Sequence, residues 1–287
     1  MTFLVLLLVL WIEKFSALRS RLQRDGFFLA ELARLERTGK VQPWWVLVIV
    51  VLCPVALVAL LLHVLEPVAY GLLALPVHLL VLIYSLGRGD VKASLGPFRD
   101  AWRRGDEQAA VHVAERDLKV FADDEQSLLH KVQGHLLWDA CQSFFAVIFW
   151  YVLLGPAAAL AYRLLALAAD NAGNPAVQER ARQLRHAFDW APVRVLAASF
   201  ALVGNFVAVS RVMLHELLNW HIAAPRLITI AGHAAAELPA TAPAGEEGLA
   251  GLDKIWELLL RSAVLWYAFF ALWTCLLYTS DAADEED

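Results

Sequence analysis

The sequence predicts an all-α, polytopic helical membrane protein with four to five spans, an N-terminal interfacial helix and a helical cytoplasmic insert. Three observations lead to this fold class. First, 60% of the 287 residues are hydrophobic and only 18% are charged. Second, the apolar residues stand in uninterrupted runs, which is typical of segments solvated by lipid. Third, basic residues collect beside some of these runs and are missing beside others, as in helical membrane proteins.

The formal net charge of −5 comes from the C-terminal end of the chain. The sequence has 24 basic and 29 acidic residues, and residues 275–287 contain five of the acids and no Lys or Arg. Without that end the chain is neutral, so no charge excess favours nucleic acid as a partner. The three cysteines, Cys53, Cys141 and Cys275, have no spacing typical of a disulfide framework or metal site, and no metal site is predicted.

Residues 1–43 are predicted to form an N-terminal interfacial and amphipathic helical region. The apolar run from Phe3 to Ile12 is about ten residues long, and at about 1.5 Å per residue it cannot cross a hydrocarbon core about 30 Å thick. The stretch that follows contains several arginines, which favour anionic lipid headgroups. They are Arg19, Arg21, Arg24, Arg34 and Arg37.

Residues 44–86 are predicted to form a transmembrane hairpin. The run from Trp45 to Leu65 is long enough to cross the bilayer core. Glu66 and Pro67 make a tight turn, and the run from Val68 to Leu86 returns across the bilayer. The loop of the hairpin contains no Lys or Arg.

The rest of the chain is predicted to alternate between spans and polar segments. A cytoplasmic helical insert occupies residues 87–143, which have the composition of a soluble domain and helical periodicity. Residues 144–212 form two transmembrane helices joined by a periplasmic connector at 168–192. Residues 213–261 form a cytoplasmic segment, which includes a flexible linker at 237–251 that is rich in Pro, Gly and Ala. Residues 262–274 begin a final transmembrane helix.

The distribution of basic residues predicts the orientation. Residues 14–43 and the insert are both rich in Lys and Arg, so the positive-inside rule places both in the cytoplasm. The connector at 168–192 then faces the periplasm, although Arg180, Arg182 and Arg185 run against the rule. The predicted location is the bacterial inner membrane, with several crossings.

The tail at 275–287 has its own hypothesis. The string CLLYTSDAADE, from Cys275 to Glu285, resembles the translation of a transposase sequencing adapter. On this hypothesis the natural sequence departs from the present one near Thr274. The alternative is an acidic, disordered end.

Four strings resemble the AmpE family of bacterial inner-membrane proteins. They are TFLVLLLVLWIEKFSALR, YSLGRGDVKASLGPFRDAWRRGD, QGHLLWDACQSFFAVIFWY and HAFDWAPVRVLAASFALVGNF. The resemblance implies a signalling modulator linked to peptidoglycan recycling and to the induction of AmpC β-lactamase. The family is distantly related to the CobD/CbiB membrane proteins of cobalamin biosynthesis. An enzyme that acts on a phosphorylated or amphiphilic substrate at the cytoplasmic interface therefore stays open as the alternative.

The two functions imply different partners. A modulator needs no cofactor, whereas the enzyme would use Mg²⁺ and a nucleotide. The expected partners of the modulator are the lipid bilayer, a peptidoglycan-derived or phosphorylated small molecule, and a protein that docks on residues 87–141. An enzyme should show acids and bases around one cleft, and a modulator should show an exposed docking surface instead.

Glu13 and Lys14 are the first candidate ligand-binding residues. They follow the apolar run of the N-terminal region, so a carboxylate and an ammonium group stand at the depth of the membrane interface. Ionisable groups at that depth are costly unless they are paired or face a cavity. The structural alternative is that they mark the point where the helix meets water.

Asp189 and Arg194 are the second pair of candidates. They flank Trp190 and Pro192 at the predicted start of a transmembrane helix. Asp189 is a capping acid and Pro192 a first-turn proline in the structural interpretation. In the functional interpretation, which depends on the family resemblance, Asp189 and Arg194 orient an anionic substrate.

The third group of candidates consists of Asn205, Arg211, His215 and Glu216. Arg211 and His215 are four residues apart and share a helix face, while Glu216 is rotated by about 100° from His215. The group is a candidate for anion or phosphate binding, and helix packing is the alternative. His112 and Glu115 share a helix face as well, but no third metal ligand accompanies them.

Overall fold

The computed structural model is helical throughout the part of the chain that it describes, which confirms the predicted all-α class. It describes residues 25–37, 42–65, 73–87, 94–122, 125–239 and 246–284, together with the single residues Val5 and Pro67. Its helices, numbered in chain order, are α1 (Gly26–Arg37), α2 (Pro43–Leu65), α3 (Ala74–Ser85), α4 (Gly96–Arg103), α5 (Glu107–Val113), α6 (125–154), α7 (Pro156–Asn171), α8 (Pro175–Val203), α9 (Phe206–Glu216), α10 (Ala224–Ala235) and α11 (Glu246–Asp284).

Three of the described helices are long and apolar enough to cross a membrane, judged by length and composition. They are α2, the part of α6 from Ser127 to Leu154, and the part of α11 from Glu246 to Leu276. The helix α3 is apolar but shorter, and it covers only the later part of the predicted return span at 68–86. The protein is thus an all-α membrane protein with three candidate spans in its described part, where the sequence predicted four to five.

The predicted span from Phe144 to Leu167 is divided between two helices. The first, α6, begins well upstream in the insert and ends at Leu154. Gly155 has a φ of 84°, in the left-handed region that favours glycine, and Pro156 then starts α7. Gly155 and Pro156 therefore end one helix and begin another, as their residue types favour.

The predicted span from Val193 to Val212 is wrong in its bounds. The helix α8 begins at Pro175 and runs through Pro192 to Val203, and α9 starts only at Phe206. Residues 175–190 are rich in Ala, Gln, Glu, Arg and Leu, which are good helix formers, so the helix is established before it reaches the proline. Pro192 is therefore an interior residue and not the first-turn proline that the sequence suggested.

The final helix starts much earlier than predicted. The sequence placed a flexible linker at 237–251 and a helix start near residue 262, but α11 begins at Glu246. Two acids in the first turn, Glu246 and Glu247, favour a helix N-terminus electrostatically. Buried apolar residues at helical spacing then hold the early turns against neighbouring helices, including Leu252, Ile255 and Leu259.

The chain divides into two compact units, and each is discontinuous in sequence. Unit 1 contains Met1–Arg88 and Ser143–Pro192, and unit 2 contains Gly89–Gln142 and Val193–Asp287. The core of unit 1 is built by α1, α2, α3 and α7 with the first turns of α8, around buried aliphatic residues such as Leu32, Val50 and Leu164.

The N-terminal region and the connector lie at the same end of unit 1. The Glu36 carboxylate accepts hydrogen bonds from the backbone N–H groups of Gly173 (3.0 Å) and Asn174 (3.1 Å). The Arg180 guanidinium lies 5.5 Å from the ring centroid of Trp44. The sequence had placed residues 14–43 and 168–192 on opposite sides of the bilayer, and these contacts do not agree with that placement.

Unit 2 joins the insert to the segments that follow α8. The first half of α6 packs against α10 and α11, and α10 also packs against α9. The Arg99 Nη2 atom on α4 donates to both carboxylate oxygens of Asp253 on α11, at 2.8 Å each. The sequence predicted residues 87–143 and 213–261 on one side of the membrane, and parts of both pack together in this unit.

Candidate functional site

A pocket of about 540 Å³ opens between α6 and α10 in unit 2. This size lies within the range of about 300–1,000 Å³ that is usual for small-molecule sites. The pocket is lined by Val120, Phe121, His130, Lys131, Gly134, His135, Trp138, Pro225, Arg226, Thr229 and Ile230.

Two glycines bring the walls of the pocket together. A Cβ atom on Gly134 of α6 would lie 2.9 Å from Thr229 Oγ1, and one on Gly232 of α10 would lie 2.6 Å from Leu137 Cδ1. Neither distance leaves room for a side chain, so the helices approach more closely than other residues would permit. The Thr229 hydroxyl donates to the Pro225 carbonyl at 2.7 Å, which fixes its rotamer at the base of the pocket.

The polar lining of the pocket is basic. Among the described residues it contains His130, Lys131, His135 and Arg226, and no Asp or Glu. The Lys131 ammonium donates one hydrogen bond, to the Phe121 carbonyl at 2.7 Å. Arg226 is exposed, and no hydrogen bond or ion pair to its guanidinium is present among the described residues. The pocket therefore offers free donors and positive charge.

The N-terminus of α10 adds to the positive potential at the pocket. Its N-cap residue, Ala223, makes no side-chain hydrogen bond to the first turn, and Pro225 in that turn carries no N–H group. The remaining free N–H groups give a helix start a partial positive charge. Since Pro225 and Arg226 both line the pocket, this end of the helix lies at the site.

His233 lies beside His130, one turn from the pocket. The ring centroids of the two histidines are 4.2 Å apart in an edge-on arrangement. Burial, with a smaller contribution from His130, lowers the pKa of His233 to about 4, so its ring is neutral at physiological pH. Its buried Nε2 atom has no hydrogen-bond partner in the described part of the chain.

The first two predicted candidates, Glu13 and Lys14, lie outside the described residues. Asp189 lies inside α8, so it does not cap a helix start as the structural interpretation suggested. Its carboxylate is buried and accepts a hydrogen bond from the Tyr162 hydroxyl at 2.7 Å. The Arg185 Nε atom lies 3.5 Å from the other carboxylate oxygen.

Asp189 belongs to a buried charge network in unit 1. Arg185 also makes an ion pair with Asp170 at 2.9 Å, and Arg163 lies 3.9 Å from Asp25. Burial raises the pKa of Asp189 to about 6, although Arg185 and the hydrogen bond from Tyr162 oppose that rise. The network balances charges inside the unit, and Asp189 contributes to it through contacts with its own helix and with α7.

Arg194 has different partners, in unit 2. Its guanidinium donates to the carbonyl of Leu217 and, at 2.8 Å, to the carbonyl of Asn219. Leu217 is the C-cap residue of α9, where free carbonyl groups give the helix end a partial negative charge. Arg194 thus holds the end of α9, and the structure does not bring it to the same partners as Asp189.

The remaining predicted candidates lie on or beside α9. Asn205 caps α9 by accepting from the Ala208 N–H at 2.9 Å, and its amide group also donates to Glu237. Glu216 accepts from the Asn219 amide at 2.7 Å. Arg211 and His215 are exposed on one face of α9, and neither lines the pocket between α6 and α10. Their role in ligand binding stays a prediction.

The sequence reasoning missed the residues of the pocket. Part of the signal was present, because Lys131, His135 and Trp138 recur at spacings of four and three on one helix. Nothing in the sequence links these residues to Arg226, which lies on a helix nearly a hundred positions later. Among the described residues, no group of three or more His, Cys, Asp or Glu side chains could hold a metal ion.

The fold and the pocket define a class: an all-α membrane protein with a basic, ligand-sized pocket in its second unit. The family model described as "Regulatory signalling modulator protein AmpE" matches residues 1–229, and the chain belongs to this family. The Protein AmpE of Shigella flexneri is 27% identical over 158 residues, which cover 51% of this chain and 56% of that protein. The chain therefore spans about half the length of this curated relative. No solved structure matches the chain.

Proposed function

We propose that this protein is a multi-pass protein of the bacterial inner membrane that modulates the signalling between peptidoglycan recycling and the induction of AmpC β-lactamase. Unit 2 is the part that responds to a ligand, and the pocket between α6 and α10 is its binding site. The observation that carries the proposal is a pocket of about 540 Å³ whose polar lining is basic. Membership of a family of signalling modulators supports the regulatory role.

The chemistry of the lining favours ligand binding without catalysis. Mg²⁺-dependent chemistry on a nucleotide needs carboxylates that hold the metal ion beside the phosphates, and the lining residues that the structure describes include no Asp or Glu. The basic residues neutralise and orient an anionic ligand instead. This favours the modulator over the alternative enzyme that resembles CobD/CbiB.

The rest of the insert supplies the surface for a protein partner. Helices α4 and α5 pack against each other, and α4 is tied to α11 by the ion pair of Arg99 and Asp253. Their outer faces carry exposed charged residues, including Arg103, Arg104 and Glu107. Because α11 also packs against α6, a ligand between α6 and α10 is connected to this surface through packed helices.

The test is a complementation assay in a strain with inducible AmpC that lacks its own AmpE-family gene. We expect the wild-type chain to change β-lactamase activity after exposure to a β-lactam, and Arg226→Gln to return it toward the empty-vector level. Arg182→Gln is the matched control, since it removes an exposed arginine that does not line the pocket. Membrane levels of each variant are measured in parallel. Equal induction with the wild-type chain and the empty vector would refute the proposed function.

A further inference from the structure

We infer that the pocket between α6 and α10 binds a small anion that carries a planar or apolar group, with the anionic part at Arg226 and the start of α10. The apolar part lies against Trp138 and Ile230. The ligand of the responsive site therefore belongs to this chemical class. The biological role of the ligand rests on the function proposed above.

The charge of the pocket selects for an anion. Arg226 and Lys131 carry permanent positive charge, and His130 and His135 add ring nitrogen donors. The Lys131 ammonium has three protons and uses one on the Phe121 carbonyl, so two remain for a ligand. Within the described part of the lining no carboxylate neutralises these groups, so the site favours a ligand that supplies negative charge.

Arg226 is the best-placed group for direct contact. Its guanidinium presents a planar set of donors that fits a carboxylate or a phosphate in two-pronged fashion. Two other arginines of unit 2 already have partners. Arg99 pairs with Asp253, and Arg194 holds the carbonyls at the end of α9. Arg226 stands instead beside the uncapped start of α10, where anions are favoured.

The apolar lining shows that a bare inorganic anion does not fill the site. Val120, Phe121, Trp138, Pro225 and Ile230 supply apolar surface around the basic groups. Phe121 is 67% exposed, which is a large exposure for an aromatic residue. A volume of about 540 Å³ is far larger than a phosphate or a carboxylate group needs. A ligand with a planar or apolar portion buries this surface and gains hydrophobic stabilisation.

The pocket is held in shape before a ligand arrives. The close glycine contacts at Gly134 and Gly232 fix the distance between α6 and α10, and the hydroxyl of Thr229 is held by its own helix. Rigid walls reduce the entropy lost on binding.

The experiment measures the binding of methylumbelliferyl phosphate to the full chain in phosphatidylcholine nanodiscs by fluorescence anisotropy. This probe combines a phosphate with a planar fluorophore. Methylumbelliferone, which lacks the phosphate, and inorganic phosphate, which lacks the ring, are each expected to bind more weakly. Arg226→Gln should raise the Kd roughly ten- to hundredfold, the usual cost of a lost hydrogen bond to a charged group. Trp138→Leu should raise it about fivefold through the lost aromatic contact.

Arg182→Gln is again the matched control, and we expect it to leave the Kd unchanged. The source of the natural anion is tested by competition. Displacement of the probe by muramyl dipeptide indicates a peptidoglycan fragment, and displacement by uridine monophosphate indicates a nucleotide. Displacement by either compound supports an anionic ligand, and displacement by uridine monophosphate also supports the attached planar group.

Three results would overturn the inference. The first is an unchanged Kd for Arg226→Gln when that variant unfolds at the wild-type temperature. The second is equal binding of methylumbelliferone and its phosphate. The third is that neither competitor displaces the probe. Failure of the proposed function is seen separately. If binding follows the expected pattern but the wild-type chain leaves β-lactamase induction unaltered, the site stands and the signalling role does not.

Discussion

Two arginines, one in each unit, are used in opposite ways. In unit 1, Arg185 is buried between Asp170 and Asp189, at 2.9 and 3.5 Å. In unit 2, Arg226 is exposed at a pocket, and no ion pair to it is present among the described residues. When a buried charge loses its partner, the fold is destabilised, so the paired charge belongs to the fold. An unpaired charge at a cavity is available to a ligand.

The largest expected effect tests the network of unit 1. Arg185→Ala should lower the free energy of unfolding by about 3–5 kcal/mol, because it leaves buried Asp189 without its cation. The measurement is chemical unfolding of the full chain in detergent micelles. Arg182→Ala is the control on the same helix. Because the Arg182 side chain is exposed, its removal should change the free energy of unfolding by less than about 0.5 kcal/mol. Equal effects at the two positions would contradict the difference between buried and exposed charges.

A second prediction concerns pH, and its sign differs between the units. The pKa of Asp189 is raised to about 6 in the folded protein, so the folded state holds its proton more tightly than the unfolded state does. Its contribution to stability is therefore lost as the pH rises from about 4 to about 6. The pKa of His233 is lowered to about 4, so the unfolded state binds the proton more tightly, and stability is lost as the pH falls from about 6.5 to about 4.

Two variants separate these contributions. Relative to the wild type, Asp189→Asn should gain stability as the pH rises from about 4 to about 6. His233→Gln should gain stability relative to the wild type as the pH falls from about 6.5 to about 4. Each difference is about 3 kcal/mol. Unfolding curves at a series of pH values give the comparison. Parallel curves for all three proteins would show that neither group titrates differently on folding.

The smallest expected effect refines the account of Asp189. Tyr162→Phe removes the hydroxyl that donates to its carboxylate at 2.7 Å and leaves the ring in place. The free energy of unfolding should fall by about 1–2 kcal/mol, which is typical of a buried hydrogen bond to a carboxylate. Tyr84→Phe is the comparison in the same unit, because its hydroxyl donates to Asp25 over a longer distance of 3.4 Å and should contribute less. If Tyr162→Phe lowered the free energy of unfolding more than Arg185→Ala does, the hydroxyl and not the ion pair would be the main stabilising contact of Asp189.

The sequence predicted the fold class because hydrophobic runs and helical periodicity are local properties. It failed where helix ends depend on neighbours. Pro192 favours a helix start, but the good helix formers before it extend α8 back to Pro175. Likewise the Pro- and Gly-rich stretch favoured a linker up to residue 251, whereas buried contacts of Leu249 and Leu252 extend α11 back to Glu246.

The candidate site was harder to predict than the fold. The sequence drew attention to Arg194 and Asn205, and the structure gives both of them partners at the ends of α9. It overlooked Arg226, because a single arginine after a proline carries no local signal. The pocket exists only once α10 packs against α6, and long-range packing of that kind cannot be inferred from periodicity.

Photoaffinity labelling tests the central claim, that the basic pocket of unit 2 is the ligand site, most directly. The full chain in nanodiscs is irradiated with azidophenyl phosphate, digested and analysed by mass spectrometry, with and without excess methylumbelliferyl phosphate. We expect protectable label on the peptides that contain Trp138 and Ile230, and a loss of that label in Arg226→Gln. Protectable label confined to the peptide that contains Arg211 would contradict the assignment and restore the site on α9 that the sequence predicted.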